Sequence, residues 1–497
     1  MFMDNLITTD IRRKNVTEKG AVGYSEFPSA LVEFNYKLSS YRNAPAADIA
    51  KDFRKACTEN MALATIYLFY MRDIRGGLGE RRTFRICFKW MLRACTAKED
   101  EALLRLIPEY GRWDDLIDLW YERPQIISKI LRGQLIQDVH NMHNGKPISL
   151  LAKWMPSENA SSAETRAKAK YLRKSLNVSA KNYRIMLSRL RKYLKVVETK
   201  MSAGRWDQID YETLPSRAAL RYTSAFKRHD PEGYGHYKFR LAMGTAKINS
   251  AANFPYQILS QYRQNWHPDA VLEAAWKGLP NYGETDQKVL VVADGSGSMY
   301  QTCGQGVQAI DVANSLAIYF SERFEGEFKN SYITFSEYPQ VVRFGEGISL
   351  FDKMRYMREH CEVANTNIER VFDLILRTAQ RNSLVQAEIP DTILIISDME
   401  FDEGTDGRTD YTLFEDFQRK FKKAGYKLPK IAFWNVCSRT SLNFLQANEN
   451  GVALVSGFSP AAINTILSGE LDPAMALRKQ LNNKRYDAVR EAIYGTR

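Results

Sequence analysis

Between residues 28 and 280, apolar positions recur every three or four residues, the spacing of amphipathic helices. Breaks fall at Gly76-Gly77, Pro108, Pro124, Gly145, Pro147, Pro156, Pro215, Pro231 and Pro255. Strand-like runs are scarce in this half, and helical pairs stacked without a strict repeat would produce the pattern. After Pro280-Asn281-Tyr282-Gly283 it changes to short β-branched runs alternating with helices. Val289 to Ala293, Ile333 to Phe335, Ile393 to Ile396, Ile431 to Trp434 and Val452 to Val455 are the expected strands. Helices are expected at 308–324, 367–381, 411–424 and 460–468. Apolar strands separated by helices predict a parallel sheet covered on both faces. The fold class is thus an all-α half followed by a doubly wound α/β half. The divisions expected are 1–285, 286–470 and a helical tail over 471–497.

One helix can be read in detail. Over 179–198, Ser179 is a plausible N-cap, and Tyr183, Met186, Leu187, Leu190, Leu194 and Val197 form one stripe. Lys181, Arg184, Arg191, Lys192 and Lys195 are placed on the opposite side. A solvated face would normally interleave acids as i,i+4 partners, and this one has almost none. The cations repel unless a polyanion meets them. Lys168, Lys170, Arg173 and Lys174 extend the basic run, with Tyr171 available to stack on a base. A second cluster, Arg75, Arg81, Arg82 and Arg85, flanks the turn Gly76-Gly77-Leu78-Gly79.

Net charge sharpens the division. The 497-residue chain carries +12, from 70 basic and 58 acidic residues. Residues 286–497 hold 24 basic and 28 acidic residues, or −4, which leaves 46 against 30, or +16, for 1–285. Segment 166–200 alone has 12 basic residues and the single acid Glu198. Opposite signs in the two halves imply different partners, a polyanion being the one expected for the basic half. The longest apolar stretch, Met61 to Met71, is too short to span a bilayer, and Met1 to Asn5 lacks the basic start of a signal peptide. A cytoplasmic protein with no membrane partner is expected. Six cysteines without a C-x-x-C pair argue against a zinc ribbon, and His140 and His143 lack zincin spacing.

The first predicted strand runs into Asp294-Gly295-Ser296-Gly297-Ser298. A carboxylate and two hydroxyls on alternate residues of one tight loop can converge on a hard cation. Two more oxygen ligands are available at element edges, Thr366 and Asp398, where ligands of an open α/β sheet gather. No phosphate-loop lysine or third glycine follows, and no G-x-S-x-G surrounds either serine. A catalytic residue is therefore not expected.

This set resembles the metal-ion-dependent adhesion site of von Willebrand A domains. The resemblance implies that Ser296, Ser298 and Thr366 bind Mg²⁺ (or Mn²⁺) directly, with Asp294 and Asp398 acting directly or through water. It also implies a coordination position open to an acidic group of a partner protein. The whole chain resembles the Ro (TROVE) family, closest to its bacterial, phage and plant branch. The stretches that carry this are Arg72 to Arg81, Tyr110 to Leu116, Leu187 to Arg191, Leu214 to Arg217 and Ser397 to Asp402. That resemblance implies a HEAT-like ring or solenoid joined to a Rossmann-like von Willebrand A domain. It implies a non-enzymatic ribonucleoprotein component binding small structured or misfolded RNA, sometimes with a nuclease. The alternative is a Mg²⁺-dependent protein-interaction adaptor.

Overall fold

The computed structural model describes residues 14–16, 22–24, 29–94, 100–304, 306–335, 339–360, 368–399, 413–437, 452–468 and 472–495. The N-terminal half is helical, and a mixed six-stranded sheet with helices follows. The chain divides into two compact units. One joins residues 1–64 to 250–483, and the other joins 65–249 to 484–497. These units do not follow the division expected at 285. Residues 29–64 and 250–285 are helical like the basic half, yet their apolar faces pack in the unit that holds the sheet. The expected tail is shared as well, with Pro473–Leu481 in one unit and Asp487–Tyr494 in the other.

The helical unit begins within the long helix Ala46–Arg72, which is interrupted at Asn60. There the backbone leaves helical geometry (φ −156°, ψ 97°), and the Asn60 side chain accepts from the Leu63 amide at 2.9 Å to start the next turn. Helices α1 (Arg81–Ala94), α2 (Asp100–Tyr110), α3 (Trp113–Asp118), α4 (Pro124–His143), α5 (Leu151–Trp154), α6 (Ala163–Ser175), α7 (Ala180–Tyr193) and α8 (Val197–Ser202) follow. Both α6 and α7 pack on α4. Pro108 lies inside the last turns of α2 and does not break it. The helix expected over 179–198 ends at Tyr193, because Lys195 takes the left-handed conformation (φ 50°) and the chain restarts at Val197. The expected stripe is nonetheless the inner face, with Tyr183, Leu187 and Leu190 buried.

In the other unit the strands are β1 (Val289–Asp294), β2 (Ser331–Phe335), β3 (Gln340–Arg343), β4 (Thr392–Ser397), β5 (Lys430–Asn435) and β6 (Val452–Ser456). Their order is β3-β2-β1-β4-β5-β6, all parallel except the edge strand β3. Every residue of β1 and β4 is buried. One sheet face, including Leu290, Val292, Ile393, Ile395 and Phe433, packs on Glu369–Arg381 and Leu413–Lys423, where the Phe372 and Phe417 rings stack at 4.1 Å. Helix α9 (Ala309–Arg323) lies against β1, β2 and β4, and its Phe320 ring meets Trp434 at 5.5 Å. The order reverses between β1 and β4, so their carboxyl ends open a crevice where Asp294 and Asp398 emerge.

Candidate functional site

Asp294 ends β1, and its Oδ1 accepts from the Ser296 amide at 2.9 Å, which closes the turn that follows. This turn brings Ser296 Oγ within 3.0 Å of Ser298 Oγ. Ser397, the last residue of β4, donates its hydroxyl to Asp294 Oδ2 at 2.7 Å and accepts from the Met399 amide at 2.9 Å. Asp398 follows, and Gln301 Nε2 donates both to Asp398 Oδ2 at 3.0 Å and to the Cys437 carbonyl at 3.2 Å. Asp294, Ser296 and Asp398 are fully buried. Burial, and then the facing Asp398 carboxylate, holds Asp294 up at about 7. Thr366 lies outside the described residues.

The donor set fits a hard divalent cation. Two buried carboxylates oppose one another, and two hydroxyls converge from one turn beside them. A dication would relieve their repulsion and accept oxygen ligands only. Among the described residues no group of three or more His, Cys, Asp or Glu side chains gathers around a point, so hydroxyls would have to complete the coordination. Sequence reasoning missed Ser397 and Gln301. The signal for Ser397 was its position at a strand end beside the motif, while nothing local marks Gln301.

Residues 36–43 also cross this end of the sheet. Asn435 Nδ2 donates to the Tyr36 carbonyl at 2.9 Å, and Ser39 Oγ donates to Asn435 Oδ1 at 3.2 Å. Ser39 is also 3.0 Å from Ser456 Oγ, and Asn43 Nδ2 donates to the Thr302 carbonyl at 2.7 Å. The Arg42 guanidinium lies 3.6 Å above the Phe458 ring.

The basic residues sort into two groups. Arg191 does not face solvent: it lies one turn beyond buried Leu187 and donates to the Ala152 and Met155 carbonyls at 2.8 and 2.6 Å. Burial lowers its pKa. Arg173 pairs with Glu158 at 2.7 Å and holds the Val178 carbonyl. Lys168 lies 3.7 Å from Asp118, and burial lowers its pKa. In the arginine cluster Arg85 is internal bracing. Arg85 reaches Asp115 at 2.7 Å and Asp114 at 2.9 Å; burial opposes its charge, and these carboxylates more than offset that. Arg81 lies 3.6 Å from Asp114, and Arg75 and Arg82 have partners of their own. Arg81 and Arg85 belong to the expected anion face, but acids of Trp113–Asp118 fold back onto them. By contrast Lys170, Lys174, Lys181, Arg184, Lys192 and Lys195 are exposed, as is Arg189, which the sequence stripe had not singled out. Among the described residues no carboxylate lies within ion-pair distance of these seven. Tyr171 is 55% exposed beside Lys170.

Among the described residues no helix is long and apolar enough to cross a membrane. In comparisons with known proteins, residues 288–492 match a family described as a domain of unknown function (DUF7788). Residues 158–291 match a second domain of unknown function (DUF2828). Neither is the Ro (TROVE) family, so the resemblance drawn from short stretches such as Arg72 to Arg81 is corrected. An uncharacterized protein of Acanthamoeba polyphaga mimivirus is 30% identical over 495 residues, covering 91% of this chain and 84% of that protein.

Proposed function

The chain belongs to the family of this mimiviral protein, and within it we propose a non-catalytic RNA-binding protein whose sheet unit carries a divalent cation. The observation that carries the reading is the set of unpaired cations on α6 and α7: Lys170, Lys174, Lys181, Arg184, Arg189, Lys192 and Lys195. Like charges held together without acids cost stability, and phosphate groups offset that cost. Exposed Tyr171 adds a ring on which a base can stack. The strand order of the sheet unit, which reverses between β1 and β4, supports a ligand site at their carboxyl ends. Its Asp294, Ser296, Ser298 and Asp398 would hold Mg²⁺ or Mn²⁺, which supplies a Lewis-acidic position for an acidic group of a protein partner. The serine hydroxyls are read as ligands, because the carboxylate beside Ser296, Asp294, belongs to the same proposed cation set.

The test is anisotropy of labelled RNA, single-stranded and hairpin, titrated with the full chain across a salt series. RNA binding predicts that log K falls linearly with log salt. The second reading, a protein adaptor working through the cation site, rests on the buried pair Asp294 and Asp398. It predicts no salt-dependent RNA affinity, and that result overturns the RNA reading.

A further inference from the structure

Trp206 and His229 meet beyond the C-terminal end of α7. Helix α8 links them to it: α8 packs on the 3₁₀ turn Trp206–Gln208, and the Lys200 ammonium donates to the Gln208 carbonyl. Trp206 is half-buried and set edge-on against the buried Phe226, with ring centroids 6.5 Å apart. His229 ends the helix Thr223–His229, and its imidazole lies on the indole at 4.4 Å with 13° between the planes. His229 is exposed. Among the described residues neither its ring nitrogens nor the indole nitrogen has a hydrogen-bond partner, and no other ring contacts the imidazole.

Covering the indole accounts for the inner side of His229; its outer side and both nitrogens are left to solvent. Each ring has an arginine next to it in sequence, Arg205 and Arg228, and both are exposed without an ion pair among the described residues. Asp230 is engaged by the Tyr211 hydroxyl at 2.7 Å and the Gly233 amide at 3.1 Å, which leaves Asp207 as the exposed acid beside Trp206. Two parallel rings braced by Phe226 make a flat surface that is fixed before any ligand arrives.

We propose that the outer face of His229, backed by Trp206, is a stacking platform for one unpaired base of single-stranded RNA, with Arg205 and Arg228 on the adjoining phosphates. This rests on the RNA reading given above and extends its interface past α7. Every base has a π-face, so the platform tolerates any sequence, whereas the bases of a closed duplex are already stacked on one another. Stacking is not ionic. Removing the outer ring lowers affinity by the same factor at every salt concentration, while removing cations changes the slope of log K against log salt.

The test titrates the full chain into labelled single-stranded oligo(A) by anisotropy across a salt series, with inorganic polyphosphate as a competitor that offers phosphates and no bases. His229→Leu keeps the indole covered and removes the aromatic outer face; His229→Phe restores that face. His229→Leu is expected to lose at least about fivefold in affinity for oligo(A), the low end for one stacked base, along a line parallel to that of the unaltered chain. His229→Phe should recover the affinity, and polyphosphate should compete equally well against all three proteins. Unchanged oligo(A) affinity in His229→Leu overturns the platform and leaves the RNA reading standing. An equal loss toward polyphosphate also overturns it, since the ring would then only support the cations. Absence of salt-dependent oligo(A) binding by the unaltered chain overturns the RNA reading and the platform with it.

Discussion

Arg184 and Arg191 lie two turns apart on α7 and do unlike work. Arg184 is exposed, whereas Arg191 satisfies two carbonyls at the end of α5. Replacing Arg191 with Gln should lower stability by about 1–3 kcal/mol, since buried acceptors lose their donor. Denaturant unfolding measures this, and the salt dependence of RNA binding should stay unchanged. Gln301 invites a second substitution. Its neutral amide steadies Asp398 without adding a charge that would repel a cation. Gln301→Ala should weaken Mg²⁺ binding by about 10- to 100-fold in calorimetry, the range found when outer-shell partners are removed. That Asp294, Ser296 and Ser298 share one turn was legible because they lie on alternate positions after a strand. Gln301 was not, because its partners Asp398 and Cys437 reach it only through the sheet. The same reasoning explains Arg191: a helical wheel places it by angle, but only the fold shows which carbonyls wait there.

At the scale of elements, apolar content decided what could be read. Strands β1 and β4, buried along their whole length, stand out as continuous β-branched runs, and the expected spans fall within a residue of the observed ones. Strand β3 was missed because an edge strand of four residues with Val341 exposed carries too little apolar signal. Leu350–His360 was missed too, its start fixed by a distant side chain: Glu273 accepts from the Leu350 and Phe351 amides at 2.9 and 3.0 Å. On α7 the outer face holds Lys181, Arg184, Arg189 and Lys192 at helical spacing. Changing these four to Gln should flatten the slope of log K against log salt by about 0.7 per lost contact with single-stranded RNA. Circular dichroism should show the helix retained, since Gln is a good helix former. An unaltered slope would remove this face from the interface.

For the whole molecule, the two units are each built from separated parts of the chain. In the helical unit the fully buried Asp73 is held by Arg485, whose Nη2 donates at 2.9 Å, and by the Tyr486 hydroxyl at 3.3 Å. Tyr486 also stacks on Tyr110 at 5.6 Å, and the Tyr110 hydroxyl donates to the Arg485 carbonyl at 2.6 Å. Truncation after Asn483 should therefore cost the helical unit about 3–5 kcal/mol, the penalty for stranding a buried charge. Thermal unfolding of the truncated chain against the full chain measures the loss. The apolar pattern did reveal that helices give way to a sheet with helices. It could not reveal that 29–64 and 484–495 belong with distant partners, because amphipathic helices do not announce which neighbour they will cover.

That pairing of Asp73 with Arg485 sets an order of events during synthesis. A ribosome emits Asp73, Tyr70 and Tyr110 early, and the residues that cover them come only after the entire sheet has been made. Through most of translation the helical unit therefore presents an uncovered aromatic pocket with an unpaired carboxylate in it. A nascent chain in that condition is a client for holding factors, and closure waits for Arg485 and Tyr486 to leave the exit tunnel.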